Sequence, residues 1–100
     1  MTVAADTLAQ PLAHAVRVVV RVLFFGRVAD VCGRSIEVPL PPEGCSLEAL
    51  RARIADLRDG AAEALGEPCI RIAIDQLMVS GDPWVSPGQE VAFLSAFSGG

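Results

Sequence analysis

The feature that most constrains the fold of this chain is a stretch over residues 16–25 in which apolar residues recur at every second position. One face of the stretch is wholly apolar and consists of Val16, Val18, Val20, Val22 and Phe24. A period of two is the pattern of a β-strand with one buried face. The other face begins with Arg17 and Arg21 and becomes apolar at Leu23 and Phe25. We therefore predict a strand that faces the core and whose outer face turns apolar towards its end.

Further strands are predicted by shorter alternating stretches. Residues 35–40 alternate, and Pro39 has no N–H to donate to a neighbouring strand, so this strand should lie at an edge of the sheet. Asp75-Gln76 is typical of a turn between two short strands. The later strands are predicted over residues 70–75, 77–79 and 90–94.

One long helix is predicted after the second strand. Ser46 is a good N-cap, and the Glu48 carboxylate suits the positive end of the helix dipole. Gly60 should end the helix, and shorter helical turns are predicted over residues 27–32 and 61–65. The helix carries one apolar stripe at helical spacing, made of Leu47, Leu50, Ile54 and Leu57.

The order strand, strand, long helix, strand, short strand, strand predicts an α+β fold. The ubiquitin-like β-grasp has this order, with a mixed sheet of four to five strands and one long helix on one face. The length of 100 residues fits one domain. We expect this domain over residues 16–100, after a flexible extension over residues 1–15 in which His14 is solvated. The predicted core comprises Val18, Val20, Val22, Phe24, Leu50, Ile54, Leu57, Ile72 and Phe93.

Charge and composition argue against several function classes. The net charge of −4 argues against a nucleic-acid partner. No apolar run has the length of a membrane span, and the start of the sequence lacks the basic residues of a secretory signal. We therefore expect a cytoplasmic protein that has no membrane partner. All eight basic residues are Arg, so no side chain of this chain can accept an isopeptide bond at a lysine.

The three cysteines do not predict a metal centre. Cys32, Cys45 and Cys69 lie 13 and 24 positions apart, which matches neither a zinc pattern nor a plant-type iron–sulfur pattern. An odd number of cysteines in a short chain without an export signal indicates free thiols in a reducing compartment. We expect mostly buried, structural thiols, and we expect no bound metal or cofactor.

The sequence ends on Phe97-Ser98-Gly99-Gly100, only a few positions after the last predicted strand. Glycine has no side chain and adopts backbone conformations closed to other residues, so a Gly-Gly end can be threaded into a narrow pocket. A tail that leaves a sheet directly has a fixed origin and a short reach. We therefore predict a presented reactive end, with Phe97, Ser98 and Gly99 inserted into a partner's pocket; the alternative is a frayed terminus.

Four segments in this order are typical of one family. They are Val22-Leu23-Phe24-Phe25-Gly26 followed by a short helix and a glycine, Ile74-Asp75-Gln76, Gly88-Gln89-Glu90-Val91-Ala92-Phe93, and Gly99-Gly100. Together they resemble the small-subunit family of molybdopterin synthase (MoaD), which belongs to the ubiquitin-like β-grasp sulfur carriers. The resemblance has two departures: Ser95-Ala96 stands where the family has Pro-Pro, and Asp75 stands where it has Asn. Without the prolines the tail should be less ordered in its extended form.

The resemblance implies a reaction at Gly100. An E1-like adenylyltransferase would use ATP to adenylate the Gly100 carboxyl group, and a sulfur donor would displace AMP to give a thiocarboxylate. The large subunit of molybdopterin synthase would then transfer this sulfur to cyclic pyranopterin monophosphate, in molybdenum cofactor biosynthesis. On this interpretation the chain is a sulfur-donating subunit that brings a substrate group and no catalytic side chains.

A docking surface for these partners is expected on the sheet face away from the long helix. It would consist of Leu23, Phe25 and Leu94 together with Phe97, and Phe97 would be its anchor. The alternative is that the short helix or the N-terminal extension covers Leu23 and Phe25. Two other functions remain open: a sulfur carrier for thiazole or cysteine biosynthesis, and a β-grasp interaction module with an inert tail.

Overall fold

The computed structural model describes residues 18–95. The predicted extension over residues 1–15 and the tail residues Phe97, Ser98, Gly99 and Gly100 lie outside these residues. The elements are, in chain order, β1 (Val19–Phe25), α1 (Val28–Cys32), β2 (Ser35–Pro39), β3 (Cys45–Ser46), α2 (Leu47–Leu57), α3 (Ala61–Leu65), β4 (Arg71–Ile74), β5 (Leu77–Val79), β6 (Trp84–Val85) and β7 (Glu90–Leu94).

Five of these strands form one mixed sheet in the order β2-β1-β7-β4-β5. β1 and β7 are parallel neighbours in the middle of the sheet, whereas the other neighbouring strands are antiparallel. β2, which ends on Pro39, lies at an edge as predicted. β3 and β6 pair in a separate two-stranded sheet that the sequence analysis did not predict. The sheet and the long helix α2 confirm the α+β, ubiquitin-like β-grasp fold.

The core lies between one face of the sheet and the helices. Phe93 is fully buried, and its ring stacks on Phe24 with centroids 5.9 Å apart. The Arg51 guanidinium lies over the same ring, 5.8 Å from its centroid, and Arg51 also donates a hydrogen bond to the backbone oxygen of Leu65. Val18 packs only at the margin of the core. The predicted core is confirmed at the buried positions Val20, Val22, Phe24, Leu50, Ile54, Ile72 and Phe93.

The prediction that Leu57 belongs to the core is wrong. Leu57 is the last residue of α2, and 45% of its surface is exposed. It lies beside Val38 and Pro39 of the edge strand β2, with no further strand of the described residues beyond it to cover the side chain. The start of α2 is as predicted, because the Ser46 hydroxyl accepts a hydrogen bond from the Ala49 N–H at 3.1 Å. Among the described helices, none has the length and apolarity needed to cross a membrane.

Candidate functional site

β7, the strand that leads to the tail, is held at its start by the turn between β4 and β5. Asp75 and Gln76 occupy this turn with φ values of 50° and 70°, a region that Asp adopts more readily than most residues. The Asp75 N–H donates to the Glu90 oxygen at 2.8 Å, and an Asp75 carboxylate oxygen accepts the Glu90 N–H at 2.9 Å. The other carboxylate oxygen accepts a hydrogen bond from the side-chain amide of Gln89 at 3.2 Å. Two segments that carried the family resemblance therefore contact each other and fix where β7 begins.

β7 is held at its end by Ser95, the last described residue, through three hydrogen bonds. The Ser95 N–H donates to the Phe25 backbone oxygen at 3.0 Å. The Ser95 hydroxyl accepts the Val28 N–H at 2.8 Å and donates to the Phe25 oxygen at 3.2 Å. Phe25 ends β1 and Val28 begins α1, so one residue ties the end of β7 to both elements. Ser95, which stands where the family has the first proline, is thus tied to the domain by these bonds. The prediction that the tail is less ordered in its extended form without the prolines falls on residues outside the described ones.

Gly26 allows Ser95 to come this close. Its φ is +82°, and a Cβ atom at this position would lie 2.2 Å from the Ser95 backbone oxygen and 2.9 Å from its hydroxyl oxygen. Real Cβ contacts essentially never fall below 3.0 Å. A side chain at residue 26 and Ser95 in its observed place therefore exclude each other. We call Ser95, with its contacts to Phe25, Gly26 and Val28, the tail root.

The outer face of the sheet is apolar next to the tail root. Across the parallel pair of β1 and β7, Leu23 lies opposite Ala92 and Phe25 lies opposite Leu94. Phe25 is 46% exposed in spite of the nearby helix α1, and Leu23 and Leu94 are half-buried. The structure thus places the three predicted docking residues that it describes on one face, and α1 does not bury Phe25.

A hollow of about 550 Å³ adjoins this face at the edge nearest the tail root. Its lining includes Leu23, Phe25 and Ala29, together with the cationic side chains of Arg21 and Arg34. A partner that covers this hollow would meet apolar side chains and positive charge.

The cysteines lie apart from the tail root. The prediction of free, mostly buried thiols is confirmed, because Cys32 and Cys45 are buried and only Cys69 is exposed. Burial raises the pKa of the Cys32 thiol above its ordinary value, and the Arg58 guanidinium opposes this in part. Cys32 therefore stays protonated at neutral pH. Among residues 18–95 there is no group of three or more His, Cys, Asp or Glu side chains that could hold a metal ion.

Sequence reasoning predicted the outer-face residues but missed the role of Ser95. Its hydroxyl bonds Val28 and Phe25, which lie 67 and 70 positions away in the chain. The one sequence signal was Gly26, because a glycine directly after a strand can mark the close approach of another backbone.

Three comparisons with known proteins show the family and the fold of this chain. The ThiS family profile matches residues 22–100. The sequence is 33% identical over 81 residues to the molybdopterin synthase sulfur carrier subunit of Escherichia coli (strain K12). The aligned region covers 81% of this chain and 99% of the E. coli protein. The crystal structure of SAMP1 from Haloferax volcanii superimposes with a TM-score of 0.64 at 20% identity, covering 82% of this chain and 99% of that one. A structure of small archaeal modifier protein 1 from H. volcanii gives a TM-score of 0.58 at 20% identity, covering 77% and 95% of the two chains.

Proposed function

Because this chain belongs to the ThiS family and is a sulfur carrier of the ThiS/MoaD type, we propose that it is the sulfur carrier subunit of a molybdopterin synthase. The observation that carries this proposal is the similarity to the E. coli sulfur carrier subunit over nearly the whole length of that protein. The tail root supports it, because it gives the C-terminal residues a fixed point of departure.

The proposed chemistry takes place at the Gly100 carboxyl group. A free α-carboxyl group is ionised at neutral pH and is a poor electrophile, so it must first be activated. In an E1-like adenylyltransferase a carboxylate oxygen attacks the α-phosphorus of ATP, and pyrophosphate leaves. A sulfur nucleophile then attacks the acyl carbon and AMP leaves, which gives the thiocarboxylate. In the large subunit the thiocarboxylate sulfur attacks a carbon of cyclic pyranopterin monophosphate and displaces an oxygen substituent. Water then cleaves the bond between this sulfur and the Gly100 acyl carbon, which returns the carboxylate.

The short reach of the tail decides where the partners dock. An extended residue spans at most about 3.3–3.6 Å, so residues 96–100 reach only about 17 Å from Ser95. Any active site that receives Gly100 must therefore come within that distance of the tail root. Such a partner covers the surface around the root, and the apolar outer face lies directly beside it.

We propose that the large subunit docks on the outer face formed by Leu23, Phe25 and Leu94, with Phe97 as the anchor. Exposed apolar patches commonly mark interaction sites, and buried aromatic side chains dominate interface energies. The adenylyltransferase meets the same limit of reach, so it uses the same surface, and the two partners bind in turn. Phe97→Ala should weaken large-subunit binding by about 2 kcal/mol or more and leave the melting temperature unchanged.

The function is tested by reconstitution with an E1-like adenylyltransferase, ATP and a sulfide source. Intact mass should show the exchange of one oxygen for sulfur in the parent chain, and none in a variant that lacks Gly99-Gly100. Adding the large subunit and cyclic pyranopterin monophosphate should then yield molybdopterin with the parent chain but not with the deletion variant. The matched deletion should melt like the parent, because it removes no apolar side chain.

Each alternative function gives a different result in this experiment. A thiocarboxylate that forms but is not consumed by the large subunit would contradict the proposal and favour a carrier for thiazole or cysteine biosynthesis. The absence of any mass change would favour an interaction module with an inert tail. Covalent adducts with lysines of other proteins would point to the modifier role named for the H. volcanii structures.

A further inference from the structure

We propose that Ser95 is a positioning residue for the tail, whose hydroxyl sets the direction in which residues 96–100 leave the sheet. This inference rests on the proposed function, because direction matters only if Gly100 is delivered to an active site. Ser95 itself touches no reacting atom, and it acts through the tail.

The two hydroxyl bonds add something that the sheet does not require. The bond from the Ser95 N–H to the Phe25 oxygen continues the pairing of β7 with β1 and would form with any residue that has an N–H. The hydroxyl bonds come from the side chain, one to the Phe25 oxygen and one from the Val28 N–H. They tie residue 95 to the last residue of β1 and to the first residue of α1, which restricts its rotation about the axis of β7.

The close contact with Gly26 extends this restriction to the Ser95 carbonyl group. The Ser95 backbone oxygen lies where a Cβ atom of residue 26 would be only 2.2 Å away. The Ser95 carbonyl group therefore packs on the backbone of Gly26. With its side chain and its carbonyl group both held, Ser95 gives the first bond of the tail a defined direction.

A small change of direction at the root becomes a large displacement at the tip. For a tail of about 17 Å, a rotation of about 10° at Ser95 moves the carboxyl end by about 3 Å. Productive reaction requires the reacting atoms to approach to about 3–3.5 Å in a defined orientation. A root that holds its direction therefore raises the fraction of tail conformers that can react.

The proposal is tested with Ser95→Ala, which removes the hydroxyl, and Ser95→Thr, which keeps it. Thiocarboxylation by the adenylyltransferase system is followed by intact mass at several carrier concentrations, well below the melting temperature. We expect kcat/KM to fall about threefold to tenfold in Ser95→Ala and to recover in Ser95→Thr. Hydrogen exchange of the Val28 amide should accelerate in Ser95→Ala alone, which reports loss of the bond itself.

A second measurement does not depend on the function. The ¹⁵N relaxation of the Ala96 and Phe97 amides should show more motion in Ser95→Ala than in the parent chain. The positioning role would be overturned if hydrogen exchange of the Val28 amide accelerates in Ser95→Ala while the relaxation and kcat/KM stay unchanged. A lower melting temperature with unchanged kcat/KM would also overturn it, because it would make Ser95 merely structural. If the parent chain takes up no sulfur but the relaxation changes as expected, the proposed function fails and the positioning of the tail stands.

Discussion

Gly26→Ala should impair presentation of the tail far more than it destabilises the domain. A Cβ atom at residue 26 would lie 2.2 Å from the Ser95 oxygen, against a lower limit of 3.0 Å for real contacts, so the tail root must move by about 0.8 Å. A misplacement of about 1 Å at a reacting group can lower the rate about 100-fold. We therefore expect kcat/KM for thiocarboxylation to fall by up to two orders of magnitude.

The backbone penalty of this substitution can be separated from the contact with Ser95. An alanine in the left-handed region costs about 1–2 kcal/mol, and Gly26 has a φ of +82°. Gly81 is the control, because its φ of +79° is similar and no atom lies within 4 Å of the position that a Cβ atom would take there. Gly81→Ala therefore meets a comparable backbone penalty without a steric clash. Both variants should lose stability by the backbone penalty in urea denaturation, and Gly26→Ala should lose in addition the free energy of the displaced Ser95 hydrogen bonds. Only Gly26→Ala should lose activity.

The assay is the time course of sulfur uptake measured by intact mass, with urea denaturation of both variants alongside. Equal kcat/KM for Gly26→Ala and Gly81→Ala would refute the reasoning, because the contact at the tail root would then have no bearing on the reaction. Unfolding of Gly26→Ala at the assay temperature would show instead that the contact holds the whole sheet together.

Leu94→Ala should weaken large-subunit binding by about 1–2 kcal/mol in titration calorimetry. The control Leu77→Ala truncates a 72% exposed side chain on the edge strand β5 and should leave this binding unchanged. Ile54→Ala should lower the free energy of unfolding by about 2–5 kcal/mol; the half-exposed Leu57→Ala should cost less than about 1 kcal/mol, and equal losses in denaturant would mean that the core is misassigned. Burial raises the Cys32 pKa above its ordinary value of 9.0, so the folded state holds the thiol proton more tightly than the unfolded state. Its contribution to stability is therefore present below pH 9.0 and lost as the pH rises through the folded-state pKa. As the pH rises above 9.0, the parent should lose stability more steeply than Cys32→Ala.

The regular elements were predictable because their signals are local. Alternation over several positions reveals β1, and Ser46 with the stripe that follows reveals α2. Strands of two residues such as β3 and β6 contain too little alternation to show a period. The exposure of Leu57 depends on where the sheet ends beside α2, which no helical spacing encodes.

The tail root could not be predicted because it is made of distant residues. Gly26, directly after a strand, indicates that some backbone comes close, but nothing in the sequence says that this backbone is Ser95. The apolar outer face was predictable, since Leu23 and Phe25 alternate with the core positions of β1. The sequence therefore indicated which residues make the outer face apolar, but not how the end of β7 is held beside them.

The central pairing of β1 with β7 also sets the order in which the strands of the sheet can pair during folding. These neighbours are the first and last strands of the described residues, and Ser95 closes on Phe25 across 70 positions. Contacts of such long sequence separation form late, because the entropy of closing the intervening loop opposes them. During synthesis β1 must therefore wait with one edge open until β7 emerges, and the tail root forms in the same step that closes the sheet. On the proposed function, an activating enzyme that required a rooted tail would act only on chains in which β7 has paired with β1.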